Sequence, residues 1–193
     1  MPRSINATID RCVGCHTCEI ACAQEHSGGM SLEEIALSGK RPGYRINIES
    51  FEGKPIPITC RQCEEPACLY ACPTGAIYRL SAGKPVLVDD ESCIGCSMCV
   101  QACPFGMMSM RPGGKVAIKC DLCMRRLADG LPPACVESCP TDTLEFSAEE
   151  TQNRKKRLDT AARLVSAQKG ANSEVAGDGI AEPESPTGEQ VVG

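Results

Sequence analysis

Residues 4–10 (SINATID) alternate apolar and polar side chains, the two-residue period of a strand, and run straight into Cys12. The same period returns at residues 44–51 (YRINIESF). There Glu52-Gly53-Lys54 supplies a turn and residues 55–59 (PIPIT) lead back to Cys60, so a hairpin is expected. Two more hairpins follow the same plan. Residues 73–80 (PTGAIYRL) and 85–90 (PVLVDD) flank SAGK, and residues 104–110 (PFGMMSM) and 115–119 (KVAIK) flank RPGG. Residues 140–146 (PTDTLEF) have no local mate and are expected to pair with residues 4–10, closing the fold.

Helical signals are shorter. Ser31 and Glu34 stand at capping-box spacing ahead of Ile35-Ala36-Leu37 and predict a short helix. Residues 148–168 contain neither Gly nor Pro and set Leu158, Ala161, Ala162 and Val165 on one helical face. A C-terminal helix is therefore expected over residues 148–169. Its apolar stripe needs a cover, either a partner subunit or self-association with a second copy of the protein. Residues 170–193 are rich in Gly, Pro, Ser and Glu without periodicity and read as a flexible tail. The whole is an α+β chain with a core at residues 1–147, interrupted by a cysteine-free insertion at residues 23–59.

Composition changes this picture. Aromatic residues are 3% of the 193 and tryptophan is absent, while cysteine supplies 16 of the residues behind a 42% hydrophobic content. Aliphatic burial alone is too thin to hold such a chain, so a cross-link from inside is expected. The cysteines form four groups of four. Cys12, Cys15, Cys18 and Cys22 read CxxCxxCxxxC, and so do Cys93, Cys96, Cys99 and Cys103, followed by Pro104. Cys60, Cys63, Cys68 and Cys72 precede Pro73; Cys120, Cys123, Cys135 and Cys139, with eleven residues between the second and third, precede Pro140.

A disulfide framework belongs to secreted chains, and MPRSINATID lacks the apolar stretch and cleavage site of a leader, which also points to the cytoplasm. Structural zinc explains two thiols of each group and leaves the regular third and fourth unused, with only His16 and His26 as additional ligands. The spacing CxxCxxCxxxCP is that of bacterial ferredoxins, which hold 4Fe–4S clusters. A net charge of −5 disfavours nucleic acid as a partner, and no apolar run of 18 residues exists to span a membrane. No nucleophile–base pair, phosphate loop or nucleotide fingerprint is found.

Three thiols three residues apart curl round one cluster, and the fourth, about a helical turn further, points away to another. The groups must then work in pairs. First with second and third with fourth is one pairing; an inner pair nested inside an outer pair is the other. The single hairpin joining the second and third groups favours nesting.

Residues 12–22 (CVGCHTCEIAC), 66–78 (PACLYACPTGAIY), 93–106 (CIGCSMCVQACPFG) and 120–140 (CDLCMRRLADGLPPACVESCP) together resemble the four-cluster iron–sulfur subunits of oxidoreductase complexes. That family includes subunits serving dimethyl sulfoxide reductase, formate dehydrogenase, carbon monoxide dehydrogenase and hydrogenases. The resemblance implies two interleaved ferredoxin-like modules holding a row of four 4Fe–4S clusters. It also implies the ligand sets: Cys12, Cys15, Cys18 with Cys139; Cys120, Cys123, Cys135 with Cys22; Cys60, Cys63, Cys68 with Cys103; and Cys93, Cys96, Cys99 with Cys72. Ala23 stands where the other groups have proline, a departure from the motif that leaves Cys22 a ligand.

Other residues have plainer readings beside functional ones. His16 either hydrogen-bonds a sulfide or is a solvated loop side chain; with the thiols complete, it is not expected to be a ligand. Arg125 and Arg126 either dock a partner or screen cluster charge, or are ordinary surface charges. The basic run at residues 154–157 (RKKR) reads as a solvated helix face, since no aromatic residues accompany it. The expected function is that of a noncatalytic subunit relaying single electrons between a catalytic oxidoreductase subunit and an acceptor. A freely diffusing polyferredoxin is the alternative, and a structural zinc protein a distant one.

Overall fold

In the computed structural model, residues 3–39, 43–113, 115–148, 153–154, 157–158 and 160–166 are described. The first strand, β1 (Arg3–Ala7), pairs antiparallel with the last, β8 (Leu144–Ala148), with Ile5 opposite Phe146. The two ends of the core meet, as the alternation of residues 4–10 and the unmated residues 140–146 require. A 3-10 turn at Ile9–Arg11 then leads into the first cysteines.

Three hairpins form where alternation and turn residues place them. They are β2 (Asn47–Phe51) with β3 (Lys54–Ile58), β4 (Ile77–Arg79) with β5 (Val86–Val88), and β6 (Ser109–Met110) with β7 (Ala117–Ile118). Between β2 and β3 both Glu52 and Gly53 have positive φ, 50° and 74°, the pattern of a two-residue type I′ turn whose twist suits the strands.

The helices are α1 (Thr17–Glu25), α2 (Leu32–Leu37), α3 (Ala67–Tyr70), α4 (Met98–Ala102), α5 (Met124–Ala128) and α6 (Ala134–Glu137). At α2 the capping box is complete: the Glu34 amide donates to Ser31 Oγ at 3.2 Å, and the Ser31 amide to Glu34 Oε2 at 2.6 Å. Cys72-Pro73, Cys103-Pro104 and Cys139-Pro140 each stop the preceding helix, because proline offers no amide and biases its predecessor away from helix. The three then make equivalent turns. The amides of Gly75, Gly106 and Asp142 donate to the carbonyls of Cys72, Cys103 and Cys139 at 3.4, 3.3 and 3.4 Å. Ala23 removes that stop, and α1 runs past Cys22 to Glu25.

Two buried clusters organise the core. One joins Ile5, Cys18, Cys22, Ile46, Leu122, Cys135 and Leu144, from the two ends of the core sequence; the other joins Cys68, Ile77, Val86, Cys99, Met108 and Ala117, from its middle. In each, cysteine supplies sulfur where an ordinary domain has aliphatic carbon.

The C-terminal helix begins later than its composition suggests. Ala148 is the last residue of β8, held opposite Arg3, so strand pairing overrides helical composition there. Residues 153–154, 157–158 and 160–166 are helical and belong to a second unit, Gln152–Gly193. Leu158 and Leu164 are 62% exposed. The tail at residues 170–193 lies outside the described residues, as do Lys155 and Lys156 of the basic run.

Candidate metal centres

Each cysteine loop is built on residues in left-handed backbone. Gly14 (φ 68°) and His16 (58°) flank Cys15; Gly95 (73°) and Ser97 (64°) flank Cys96; Gln62 (49°) precedes Cys63; Leu122 (59°) precedes Cys123, itself at 51°. Such turns aim successive backbone amides at one point, a cradle for negative charge. Leu122 donates its amide to Cys120 Sγ at 3.4 Å, Thr143 to Cys139 Sγ at 3.3 Å, Met107 to Cys103 Sγ at 3.4 Å, and Arg45 to Cys22 Sγ at 3.3 Å. Arg79 serves the other side of one loop, its guanidinium donating to the carbonyls of Gln62, Cys63 and Glu64.

The thiols gather into four sites. Cys12, Cys15, Cys18 and Cys139 line one pocket, site I. Cys60, Cys63, Cys68 and Cys103 line a second, site II, and Cys72, Cys93, Cys96 and Cys99 a third, site III. In the fourth group, site IV, the Cys22 sulfur acts electrostatically on Cys120, Cys123 and Cys135. Every site thus holds three sulfurs from one run and one from a different run. All sixteen cysteines are free thiols.

Burial acts strongly on these thiols. It pushes Cys18 and Cys123 up to about 11 and raises Cys68, Cys99, Cys120 and Cys135 as well. At Cys139 burial is outweighed by hydrogen bonds from the backbone of Thr141, Leu144 and Thr143, and the thiol falls below its ordinary value. Hydrogen bonds from Thr17 likewise lower exposed Cys15. Crowded, dry thiols resist ionisation unless a cation takes the charge, and all-sulfur donor sets suit iron and sulfide. The four sites fit 4Fe–4S clusters on donor chemistry, number of thiols and inward amides.

Sites I and III each present an exposed cysteine, Cys15 and Cys96, whereas sites II and IV present none. Ionised sulfurs of neighbouring sites repel across three junctions: Cys18 with Cys135, Cys120 with Cys60, and Cys68 with Cys99. The insertion covers the site I end, where Ile48 and Pro57 of its hairpin line the pocket and the Ile48 amide donates to Glu19 Oε1 at 2.6 Å.

Several residues about these sites carry no motif in the sequence. Asp121, between two cysteines of site IV, has Oδ1 at 3.1 Å from His26 Nε2 and Oδ2 at 2.8 Å from Arg45 Nη1, and accepts the Cys123 amide at 2.9 Å. Burial opposes its charge, but the His26 and Arg45 partners hold the carboxyl far below the usual carboxylate range. At His26 burial is similarly outweighed by hydrogen bonds to Asp121 and Cys22, and the imidazole rises to about 9. His26 could have been flagged by its position four residues after Cys22; Asp121 and Arg45 left no such signal.

The residues with two readings resolve locally. His16 is half exposed and bonds Glu19 Oε2 at 2.8 Å. Arg126 is tied inward to Glu25, Glu137 and the Pro132 carbonyl; Arg125 is exposed. Among the described residues no helix is long and apolar enough to cross a membrane.

Residues 52–149 match the model of a 4Fe-4S dicluster domain, and residues 9–25 that of a 4Fe-4S binding domain. This protein belongs to the 4Fe-4S dicluster family. It is 40% identical over 154 residues to an "Iron-sulfur protein" of Rhodospirillum rubrum, covering 74% of this chain and 80% of the relative. Identity to the thiosulfate reductase electron transfer subunit PhsB of Salmonella typhi is 40% over 138 residues, 70% of each. To one of the polypeptides of the anaerobic dimethyl sulfoxide reductase of Escherichia coli (strain K12) it is 36% over 166 residues, 79% of this chain and 76% of the relative. The protein is thus an iron–sulfur protein of the electron-transfer kind.

Proposed function

We propose that this protein is the noncatalytic electron-transfer subunit of a reductase complex, carrying four 4Fe–4S clusters in the order I, IV, II, III. The ligands are Cys12, Cys15, Cys18 and Cys139 at site I; Cys22, Cys120, Cys123 and Cys135 at site IV; Cys60, Cys63, Cys68 and Cys103 at site II; and Cys72, Cys93, Cys96 and Cys99 at site III. The grouping of three thiols from one run with one from another carries this reading. It describes two interleaved ferredoxin-like modules, an inner one inside an outer one.

When bound, each cluster accepts and releases one electron. The protein's part is placement. Inward amides and Arg79-anchored carbonyls fix the loops, apolar walls exclude water from the middle of the row, and Cys15 and Cys96 bring its ends to the surface. The two ends supply one contact for a catalytic subunit and one for an acceptor. Relatives named as parts of thiosulfate and dimethyl sulfoxide reductases support a catalytic partner of that general kind.

Anaerobic purification tests both parts. About sixteen irons and as many sulfides per chain are expected, together with a larger subunit that co-purifies. Eight irons or fewer would sink the four-cluster reading, and a protein that is isolated alone and carries electrons between soluble proteins is instead a diffusible polyferredoxin.

A further inference from the structure

Lys119 is 4% exposed, at the end of β7 and beside Cys120. A buried ammonium requires acceptors, and this one donates to the Val86 carbonyl at 2.7 Å, the Cys120 carbonyl at 2.9 Å and Gln62 Oε1 at 3.4 Å. These partners are neutral, and none of the ion pairs among the described residues includes Lys119. Its Nζ is therefore hydrogen-bonded without being neutralised.

Its surroundings supply the missing charge. Lys119 lines the same pocket as Cys60, Cys63, Cys68 and Cys103, and its attraction acts on the ionised sulfurs of both Cys68 and Cys120. Gln62, from the cysteine loop of site II, donates its Nε2 to the Cys120 carbonyl at 2.7 Å while its Oε1 takes the Val86 amide at 3.0 Å. The Gln62–Lys119 pair thus joins the loop of site II to the loop of site IV at the junction between the two modules.

We propose that the Lys119 ammonium is the buried counter-charge shared by sites II and IV, raising the reduction potential of both middle positions above what their thiolates and exclusion from water alone would set. The inference rests on the four-cluster reading. Each one-electron reduction adds one negative charge to a site, and in a region of low dielectric a fixed cation lowers the cost of adding it. Sites I and III lie on the far sides of the row and gain solvent contact through Cys15 and Cys96, so they depend on Lys119 least.

The test is a redox titration of the full protein in its native complex, with dithionite as electron donor and paramagnetic resonance as readout, alongside iron and sulfide counts. In Lys119→Met two of the four potentials fall and two stay. Lys119→Arg, which keeps the charge, restores the two toward the parent values. Unchanged potentials in a fully loaded Lys119→Met overturn the proposal, as does a uniform shift of all four. Iron loss from both variants also overturns it, in favour of a purely structural lysine. Fewer than four clusters in the parent protein defeats the underlying reading instead, and the parent iron count distinguishes that failure.

Discussion

Replacing Asp121 by Asn tests whether one carboxylate locks site IV. The parent side chain is 29% exposed and meets two cations, His26 and Arg45, with one charge. Asparagine keeps an oxygen at Oδ1 for the Cys123 amide and His26 Nε2 but turns the Oδ2 position into a donor that faces Arg45. Two charge-assisted hydrogen bonds, each contributing about 1.5–3 kcal/mol, give way at best to one neutral bond of about 0.5–1.5 kcal/mol. Partial exposure screens the loss, leaving about 2 kcal/mol as the expected cost. That converts to roughly 30-fold more frequent local opening. The assay is iron release to a chelator under anaerobic, sub-denaturing urea: a quarter of the iron should leave in a phase roughly 30-fold faster than in the parent. Release within twofold of the parent, or acceleration spread over all the iron, would refute the reasoning.

Cys22→Ser tests the crossing of the first run to the fourth: about four irons per chain should be lost or altered, with the disturbance at the site of Cys120, Cys123 and Cys135. Mössbauer spectra showing instead a damaged site of Cys12, Cys15 and Cys18 would reverse the assignment. Gly14→Ala places a Cβ about 3.1 Å from Pro55 Cβ at a φ of +68°, so the site I loop and the covering hairpin should both be strained. The expected loss is about 1–2 kcal/mol, read as a lower urea midpoint, with the potentials of sites II and III unmoved.

The strands were legible because each combines alternation with turn residues, and β1 with β8 because the end segments had no local mates. The helix boundary at Ala148 was not, since composition says nothing of the register that holds Ala148 against Arg3. Lys119 shows a second limit. Alternation in KVAIK puts Lys119 with exposed Lys115 on one face, yet Ala117, Ile118 and Lys119 are all buried, because both faces of β7 are covered. Spacing made the thiols legible by type and count, but a charge network such as Asp121, His26 and Arg45 joins residues far apart in the sequence and has no period to detect. Ala23 was visible as a departure from the motif. Its effect, a helix carried on to Glu25 and His26 brought to Asp121, required the fold.

The meeting of β1 with β8 imposes a chronology on the making of this protein. In the proposed assignment sites II and III draw on residues 60–103 alone, so their donors have all been synthesised while the last third of the core is still to come. Site I waits for Cys139 and site IV for residues 120–135, and in the interval Cys12, Cys15, Cys18 and Cys22 are nascent thiols without their final companions. The donors proposed for sites II and III are accordingly complete before those of sites I and IV, and the interval before the C-terminal run appears is when the first four cysteines most need protection from oxidants and stray metals.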